Sequence, residues 1–396
     1  MIMLAANGGE AAGLLLPLFV MFLAAKVLAE LFERLRQPAV AGEILAGVLI
    51  GPSVLGWVNP TEVTHAFSEM GVVFLLFQVG LETKPSSILK VGRQAFLVAT
   101  LGIGVPFLGG MGVMLARGSS GLEAAFVGTA LVATSVGITA RVLSAQGALH
   151  LPASQIILGA AVIDDILGLL VLAVVSSFAK GSVNYLEIAW TTGLSFVFTA
   201  AAALVVAPLM NRLAPWVRRL RLGHAVLVLS LGMCLGLSVV AAWIGIAAII
   251  GAFMAGMALS EATQDDHSVH QQASGITEFF VPFFLTSIGM QLKLEVFQDP
   301  ATLGLAVLVT GVAVLTKLVG CGLGVVGQGW KRAAQVGVGM IPRGEVGIVV
   351  AQIGLTLGIV SDALFGVVVA MAVATTLIAP PLLQLLFRGA PARAGG

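Results

Sequence analysis

Thirteen apolar runs follow one another along this chain and leave almost no other fold open to it. Their approximate limits are 11–31, 39–57, 64–81, 94–116, 122–144, 153–178, 186–209, 223–242, 244–260, 274–291, 302–326, 332–358 and 361–387. A helix that crosses a bilayer needs about 17–25 such residues. Barrel strands run about 10 residues with strict alternation, which these segments lack. Only 10% of the residues are charged while 58% are hydrophobic, against roughly 25% charged in an average soluble protein. So little charge cannot coat a water-facing surface around so much apolar mass, which excludes a soluble enzyme or a disordered chain. The 49 glycines suit closely packed membrane helices. A formal net charge of +1 carries no footprint for nucleic acid. Cys234 and Cys321 lie in apolar runs without metal-ligand spacing and read as small core residues.

No lysine or arginine precedes Lys26, so the first run reads as a true span rather than a cleaved signal peptide, with the N-terminus outside. Fourteen of the 20 basic residues then fall on the inside. Only Arg117, Lys180 and Lys293 fall outside, and Lys26, Lys317 and Arg343 lie within spans. That asymmetry is the positive-inside rule, and it places the C-terminus in the cytoplasm. The cluster Arg218, Arg219 and Arg221 reads as a topology anchor rather than a lipid site. Split as six spans, a linker and six spans, the chain has corresponding helices seven apart, so its halves run in opposite directions. Inverted repeats of this kind are the plan of many secondary transporters. Two polar, helix-breaking patches occupy matching spans: Ala-Thr-Ser-Val-Gly at 133–137 and Met-Ile-Pro-Arg-Gly-Glu-Val-Gly at 340–347. The expectation is an all-α integral membrane protein of thirteen transmembrane helices, in inverted six-helix repeats with two interrupted crossing helices.

Asp164 and Asp165 sit in the middle of a long apolar run, about 14–17 Å of helix from its polar ends. Carboxylates at that depth are costly and too short to reach the interface. They read either as protonated packing groups or as ligands for a cation that also take up protons. Neighbours on a helix point about 100° apart, so the two need not share one role. Lys317, in Val-Leu-Thr-Lys-Leu-Val-Gly (314–320), lies too deep to snorkel and is the candidate partner. The pair reads either as a structural strut or as a switch. Desolvation favours loss of a lysine proton and a nearby carboxylate opposes it, so a cation that engages the carboxylates releases a proton. Arg343 and Glu345, beside Pro342 and Gly344, read as stabilising a helix break whose freed carbonyls are usable by an ion. Thr134, Ser135 and Thr139 offer hydroxyls, which in membrane helices also bond back to their own backbone. Glu43 is placed near the inner interface, Glu82 in a rim pair with Lys84, and His65, His150, His224, His267 and His270 in loops or at span ends, where a pH-sensing role is open to them by intrinsic pKa.

Taken together, these motifs resemble bacterial sodium/proton antiporters of the monovalent cation:proton antiporter superfamily, NapA-like with an NhaA-type fold. The markers are Gly-Glu-Ile-Leu-Ala-Gly-Val-Leu-Ile-Gly-Pro (42–52), Leu-Leu-Phe-Gln-Val-Gly-Leu-Glu (75–82), Ala-Thr-Ser-Val-Gly-Ile-Thr (133–139), Asp164–Asp165, Lys317 and Pro-Arg-Gly-Glu-Val-Gly (342–347). Gln78 departs from the pattern, since relatives usually carry an apolar residue there. The resemblance implies a homodimer in the inner membrane of a bacterium. Residues 1–92 and 223–300 would form a dimer domain, 93–180 and 301–396 a mobile core, and 181–222 a linker helix. It implies that Asp165 binds cation and proton, that Asp164 pairs with Lys317, and that paired aspartates mark electrogenic exchange. Thr134 and Ser135 would complete the Na⁺ site. No cofactor is expected; the transported ions are Na⁺ (or Li⁺ or K⁺) and H⁺, and the partner is membrane lipid. The absence of a glycine-rich nucleotide-binding segment after the last span argues against the ligand-regulated potassium-efflux relatives.

Other functions remain to be separated from antiport: K⁺/H⁺ exchange on the same plan, and a sodium-coupled solute symporter, which would want a roomier organic pocket. An intramembrane aspartyl protease needs aspartates on two facing helices, whereas these are adjacent on one. An ion channel does not need a buried carboxylate pair suited to binding and release.

Overall fold

The computed structural model describes residues 10–35, 37–83, 90–179, 185–206, 208–210, 212, 225–260, 263, 267–292 and 294–388. Among them every regular element is helical. In order these are α1 (Glu10–Arg34), α2 (Ala39–Ile50), α3 (Glu62–Leu81), α4 (Gly92–Ala116), α5 (Gly121–Ala130), α6 (Val136–Ala145), α7 (Pro152–Ala179) and α8 (Tyr185–Ala201). Then come α9 (Ala225–Ile244), α10 (Ala248–Ser260), α11 (His267–Met290), α12 (Pro300–Leu323), α13 (Trp330–Gly339), α14 (Glu345–Thr356) and α15 (Asp362–Leu386). Eight of these, α1, α3, α4, α7, α9, α11, α12 and α15, are long and apolar enough to cross a membrane, and α2, α6, α10 and α14 are shorter apolar helices. The chain is a multi-pass membrane protein.

Local chemistry sets the helix ends. Thr61 and Thr64 cap the start of α3 reciprocally, and Asp299 caps α12 by accepting from the Ala301 and Thr302 amides, with Pro300 at the first turn. Several bounds differ from the sequence expectation. The second span, expected at 39–57, ends as a helix at Ile50. Gly51 caps the helix and Pro52 follows it, and the Trp57 and Val58 amides turn back onto the Ile50 carbonyl. The tenth, expected from 274, begins at His267. The seventh continues from α8 into a π-helical turn, Ala202–Val206, after which most of the linker lies outside the described residues.

Two groups of helices result. α1, α2 and α3 pack with α9, α10 and α11, whereas α4–α7 pack with α12–α15. The groups meet where α3 touches α6 and where α2 touches α6 and α15. Within the first group the crossings are backbone-close. A Cβ on Gly47 of α2 would collide with the Thr286 carbonyl of α11, and one on Gly256 of α10 with the Phe77 carbonyl of α3. Close approach of this kind is what small residues provide between membrane helices.

Element bounds also recur. α2 begins at Ala39 and α10 at Ala248, a shift of 209 residues; the same shift carries α5 (121–130) onto α13 (330–339) and the end of α3 (Leu81) onto the end of α11 (Met290).

Candidate functional site

The site lies where two helices are broken. Residues 131–135 separate α5 from α6, and residues 340–344 separate α13 from α14. The breaks touch: the Ser135 amide donates to the Pro342 carbonyl at 2.8 Å, and Thr139 Oγ1 donates to the Gly339 carbonyl at 2.7 Å. Gly344 leaves room for the Ser135 side chain, whose Oγ would stand 2.7 Å from a Cβ there. A broken helix exposes carbonyls that need donors. Arg343, fully buried, supplies them: Nη1 donates to Met340 and Ile341 (3.1 and 3.0 Å), and Nη2 reaches the Ala313 carbonyl of α12 at 3.3 Å. Its own amide donates to Thr375 Oγ1 of α15 at 3.2 Å. A cation at the carbonyl end of α13 also opposes the helix dipole favourably.

Asp164 and Asp165 lie on α7 beside this crossing. Lys317 Nζ of α12 stands 3.2 and 3.3 Å from the two Asp164 carboxylate oxygens, and the side chains are 0% and 1% exposed. Gly102 of α4 makes the space; a Cβ there would lie 2.6 Å from Cys321 Sγ and 3.4 Å from Lys317 Nζ. Asp165 points elsewhere. It is half-buried and lines a small cavity with Leu76, Val136, Leu158, Val162 and Ile249. Thr134 and Ser135 are buried in the break, and Thr134 Oγ1 has no hydrogen-bond partner among the described residues. The arrangement therefore offers a carboxylate facing a cavity, a buried hydroxyl, and a charge pair one residue away.

A larger cavity, about 1490 Å³ of empty space including its open mouth, opens at the end of the bundle where α3 begins and α11 ends. His65, Glu69, Ser238, Ser287 and Gln291 are on its walls, and Val346 brings it to the second break. Ile249 lines both cavities, so the large one adjoins the Asp165 chamber.

Other sequence expectations fare differently. Glu43, expected near the inner interface, is 2% exposed and pairs with Lys26 of α1 at 3.4 Å, because α2 packs between α1 and α11. Lys84, expected as the partner of Glu82, lies outside the described residues; Glu82 Oε1 also accepts from Gln78 Nε2 at 3.4 Å. Glu345 opens α14, and its side chain lies outside the description, as do Arg218, Arg219, Arg221 and His224. His65 pairs with Glu69 at 3.5 Å. Sequence reasoning missed Gly102 and Thr375, whose only signal is their distance in space from residues far along the chain.

A family model described as sodium/hydrogen exchanger, transmembrane, matches residues 18–389. The chain is 36% identical to a high-affinity Na⁺/H⁺ antiporter, NhaS3, of Synechocystis, over 96% of this chain and 91% of that one. It is 35% identical to GerN of Bacillus cereus, an Na⁺/H⁺-K⁺ antiporter, over 93% of this chain and 95% of that one. The fold is similar to that of the sodium proton antiporter MjNhaP1 of Methanocaldococcus jannaschii, with a TM-score of 0.70, 16% identity, and coverage of 96% and 98% of the two chains.

Proposed function

The chain belongs to the sodium/hydrogen exchanger family, and from that premise we propose that it is a secondary Na⁺/H⁺ antiporter working electrogenically around Asp165. The observation that carries this reading is the division of labour between adjacent carboxylates. Asp165 faces a cavity, while Asp164 is held by Lys317 out of contact with solvent. A sodium ion at Asp165, with oxygens from Thr134, Ser135 and Asp164 in reach of the same break, displaces the proton Asp165 carries. As Asp164 turns toward the ion, Lys317 loses its counter-charge and gives up a proton in the low-dielectric interior. Each singly charged cation is then exchanged for a proton from Asp165 and another from Lys317, which moves net charge. Arg343 stabilises the break through the carbonyls of Met340, Ile341 and Ala313, and a supporting role for Glu345 remains part of this reading.

In this reading α1–α3 and α9–α11 form the dimer domain of a homodimer, and α4–α7 with α12–α15 form a core that carries the site across the membrane. The thirteen spans follow if α5 with α6, and α13 with α14, each count as one interrupted crossing helix, and if α8 crosses. The shift of 209 residues between the halves supports an inverted repeat. With the N-terminus outside, as the basic residues favour, the large cavity faces outward. The family assignment favours antiport over sodium-coupled symport, and bacterial relatives favour the plasma membrane. K⁺/H⁺ exchange is the second reading, favoured by the Na⁺/H⁺-K⁺ description of GerN.

The test is proton flux driven by a cation pulse in proteoliposomes, comparing Na⁺, Li⁺ and K⁺. Sodium-driven proton movement that follows the membrane potential is expected. A pulse that moves no protons overturns antiport, and a response to K⁺ alone selects the second reading.

A further inference from the structure

The two halves of the chain repeat contact by contact. Gly42 of α2 packs on the Leu28 carbonyl of α1, and Gly251 of α10 packs on the Leu237 carbonyl of α9. Gly80 of α3 meets the Phe253 carbonyl of α10, and Gly289 of α11 meets the Ile44 carbonyl of α2. With the Gly47 and Gly256 crossings, every glycine and every acceptor maps onto its counterpart by the same 209 residues. That shift also relates α3 to α11, and these two helices run antiparallel. Phe67 meets Phe283 edge to face with centroids 5.2 Å apart, Gly71 meets the Phe280 carbonyl, and Thr277 Oγ1 donates to the Phe74 carbonyl at 3.3 Å. Gly71 and Phe280 are themselves counterparts, so a pseudo-two-fold axis passes between them, across the helix axes.

Such symmetry constrains the state that is not seen. When the two halves exchange conformations, residues that line the open cavity in one half are closed over, and their counterparts are uncovered. The residues His65, Glu69, Leu235, Ser238, Ser287 and Gln291 of the open cavity correspond to Ser274, Glu278, Lys26, Ala29, Gln78 and Glu82. These lie at the opposite end of the bundle, where α3 ends and α11 begins.

We propose that Gln78 and Glu82 are the residues that contact the cation between Asp165 and the face opposite the open cavity, along the vestibule that alternating access uncovers at these counterparts. The inference rests on the alternating-access antiport proposed above. The two residues are prepared for it in chemistry and in position. Gln78 and its counterpart Ser287 are both half-buried between fully buried neighbours. Gln78 gives its amide nitrogen to Glu82, which leaves its amide oxygen buried with no hydrogen-bond partner among the described residues. An orphaned amide oxygen beside a carboxylate is a ligand pair for a hard monovalent cation, and a buried polar atom without a partner is poised for one.

The symmetry is broken in charge. Val239 and Ala242 of the open cavity correspond to Glu30 and Glu33. The second mouth therefore carries Glu30, Glu33, Glu82 and Glu278 where the lining of the first carries Glu69; its Lys26 is engaged by Glu43 and its Glu30 accepts from Arg34 Nε at 2.8 Å, so the acidic excess rests on Glu33, Glu82 and Glu278. An acidic mouth concentrates cations. The apparent KM for sodium is thus lower on this face than on the other, and rises with ionic strength.

Single cysteines at Gln78, Glu82, Ser287 and Gln291, in a chain with Cys234 and Cys321 replaced by alanine, test this in right-side-out and inside-out vesicles with a membrane-impermeant thiol reagent. Ser287→Cys and Gln291→Cys are expected to label from one face, and Gln78→Cys and Glu82→Cys from the other, with imposed ion gradients changing the two pairs in opposite directions. Labelling at Ser287 that ignores the gradient overturns alternating access itself. Gradient-dependent labelling at Ser287 with Gln78 and Glu82 unreactive from the second face overturns the vestibule alone. Should the cysteine-free chain lose exchange, kinetics in the native background decide. Glu82→Gln and Gln78→Ala are expected to raise the sodium KM severalfold on the second face only, with kcat unchanged. Equal KM shifts on both faces, or none, overturn the assignment.

Discussion

With neither side chain in contact with solvent, the Lys317 ammonium and the Asp164 carboxylate depend on each other for their charged forms. Removing one partner of a buried pair leaves an uncompensated charge, at about 3–5 kcal/mol. Lys317→Ala is therefore expected to lower the melting temperature markedly. Lys317→Gln should fall less, because an amide can still hydrogen bond to a protonated Asp164. An unchanged melting curve for Lys317→Ala would remove the pair from the account of stability. Asp165 faces a cavity, so Asp165→Asn should abolish sodium-driven proton flux, whereas His150→Ala should retain the flux. Full flux in Asp165→Asn would move the cation site elsewhere. Gly102 has a steric role in the same pair. A methyl there would press on Cys321 Sγ and crowd Lys317 Nζ, and overpacking of a filled core costs about 1–3 kcal/mol. Gly102→Ala should thus destabilise, and a Cys321→Ala second substitution should restore part of the loss.

At the scale of elements, the broken helices are held by a guanidinium. Arg343 meets three carbonyls on two elements, Met340 and Ile341 at the break and Ala313 on α12. Lysine reaches the same place as a point charge without the planar fork. Arg343→Lys should accordingly recover only part of the stability that Arg343→Ala loses, each charged hydrogen bond being worth about 1.5–3 kcal/mol; equal melting of Lys and wild-type proteins would mean that charge alone suffices. Much of this element was legible in the sequence. Pro342, Gly344 and the polar run at 133–137 mark the breaks, because a proline and hydroxyl-rich stretches have no other place in an apolar helix. The burial of Asp164 and Lys317 was legible too, since both lie far along apolar helices from any polar end. The acceptors of Arg343 were not, because Ala313 is 30 residues away and contributes only a backbone carbonyl. The burial of Glu43 was equally hidden: near a span end its exposure depends on how α2 is covered by α1 and α11. The end of α2 at Ile50 was obscured because the apolar residues Val54, Leu55 and Trp57 continue the run through a turn that exposes them.

For the whole molecule, the thin contact between its two groups of helices matters most. Each group is tightly packed within itself, and α3 meets α6 across the seam by ordinary side-chain contact: a Cβ on Gly137 would stand 3.2 Å from Val72 Cγ2 and 3.4 Å from the Phe284 ring. Backbone-close glycine crossings, by contrast, lie within each group, as Gly47 against the Thr286 carbonyl in the first and Gly128 against the Phe107 carbonyl and Gly320 against the Leu101 carbonyl in the second, so each group resists deformation while the seam can slide. Asp165, on α7, shares its chamber with Leu76 of α3 and Ile249 of α10. Relative movement of the groups would therefore change which face the chamber adjoins. A disulfide between Val72→Cys and Gly137→Cys spans the seam without touching Asp164, Asp165 or Lys317. Oxidation is expected to stop sodium-driven proton flux, and reduction to restore it, with a pair inside one group, Gly109→Cys and Thr316→Cys, whose Cβ atoms would lie 3.8 Å apart, leaving flux in place when oxidised. If the seam disulfide forms quantitatively and exchange continues, the groups do not move against each other, and the cation must reach Asp165 from both faces through a fixed structure.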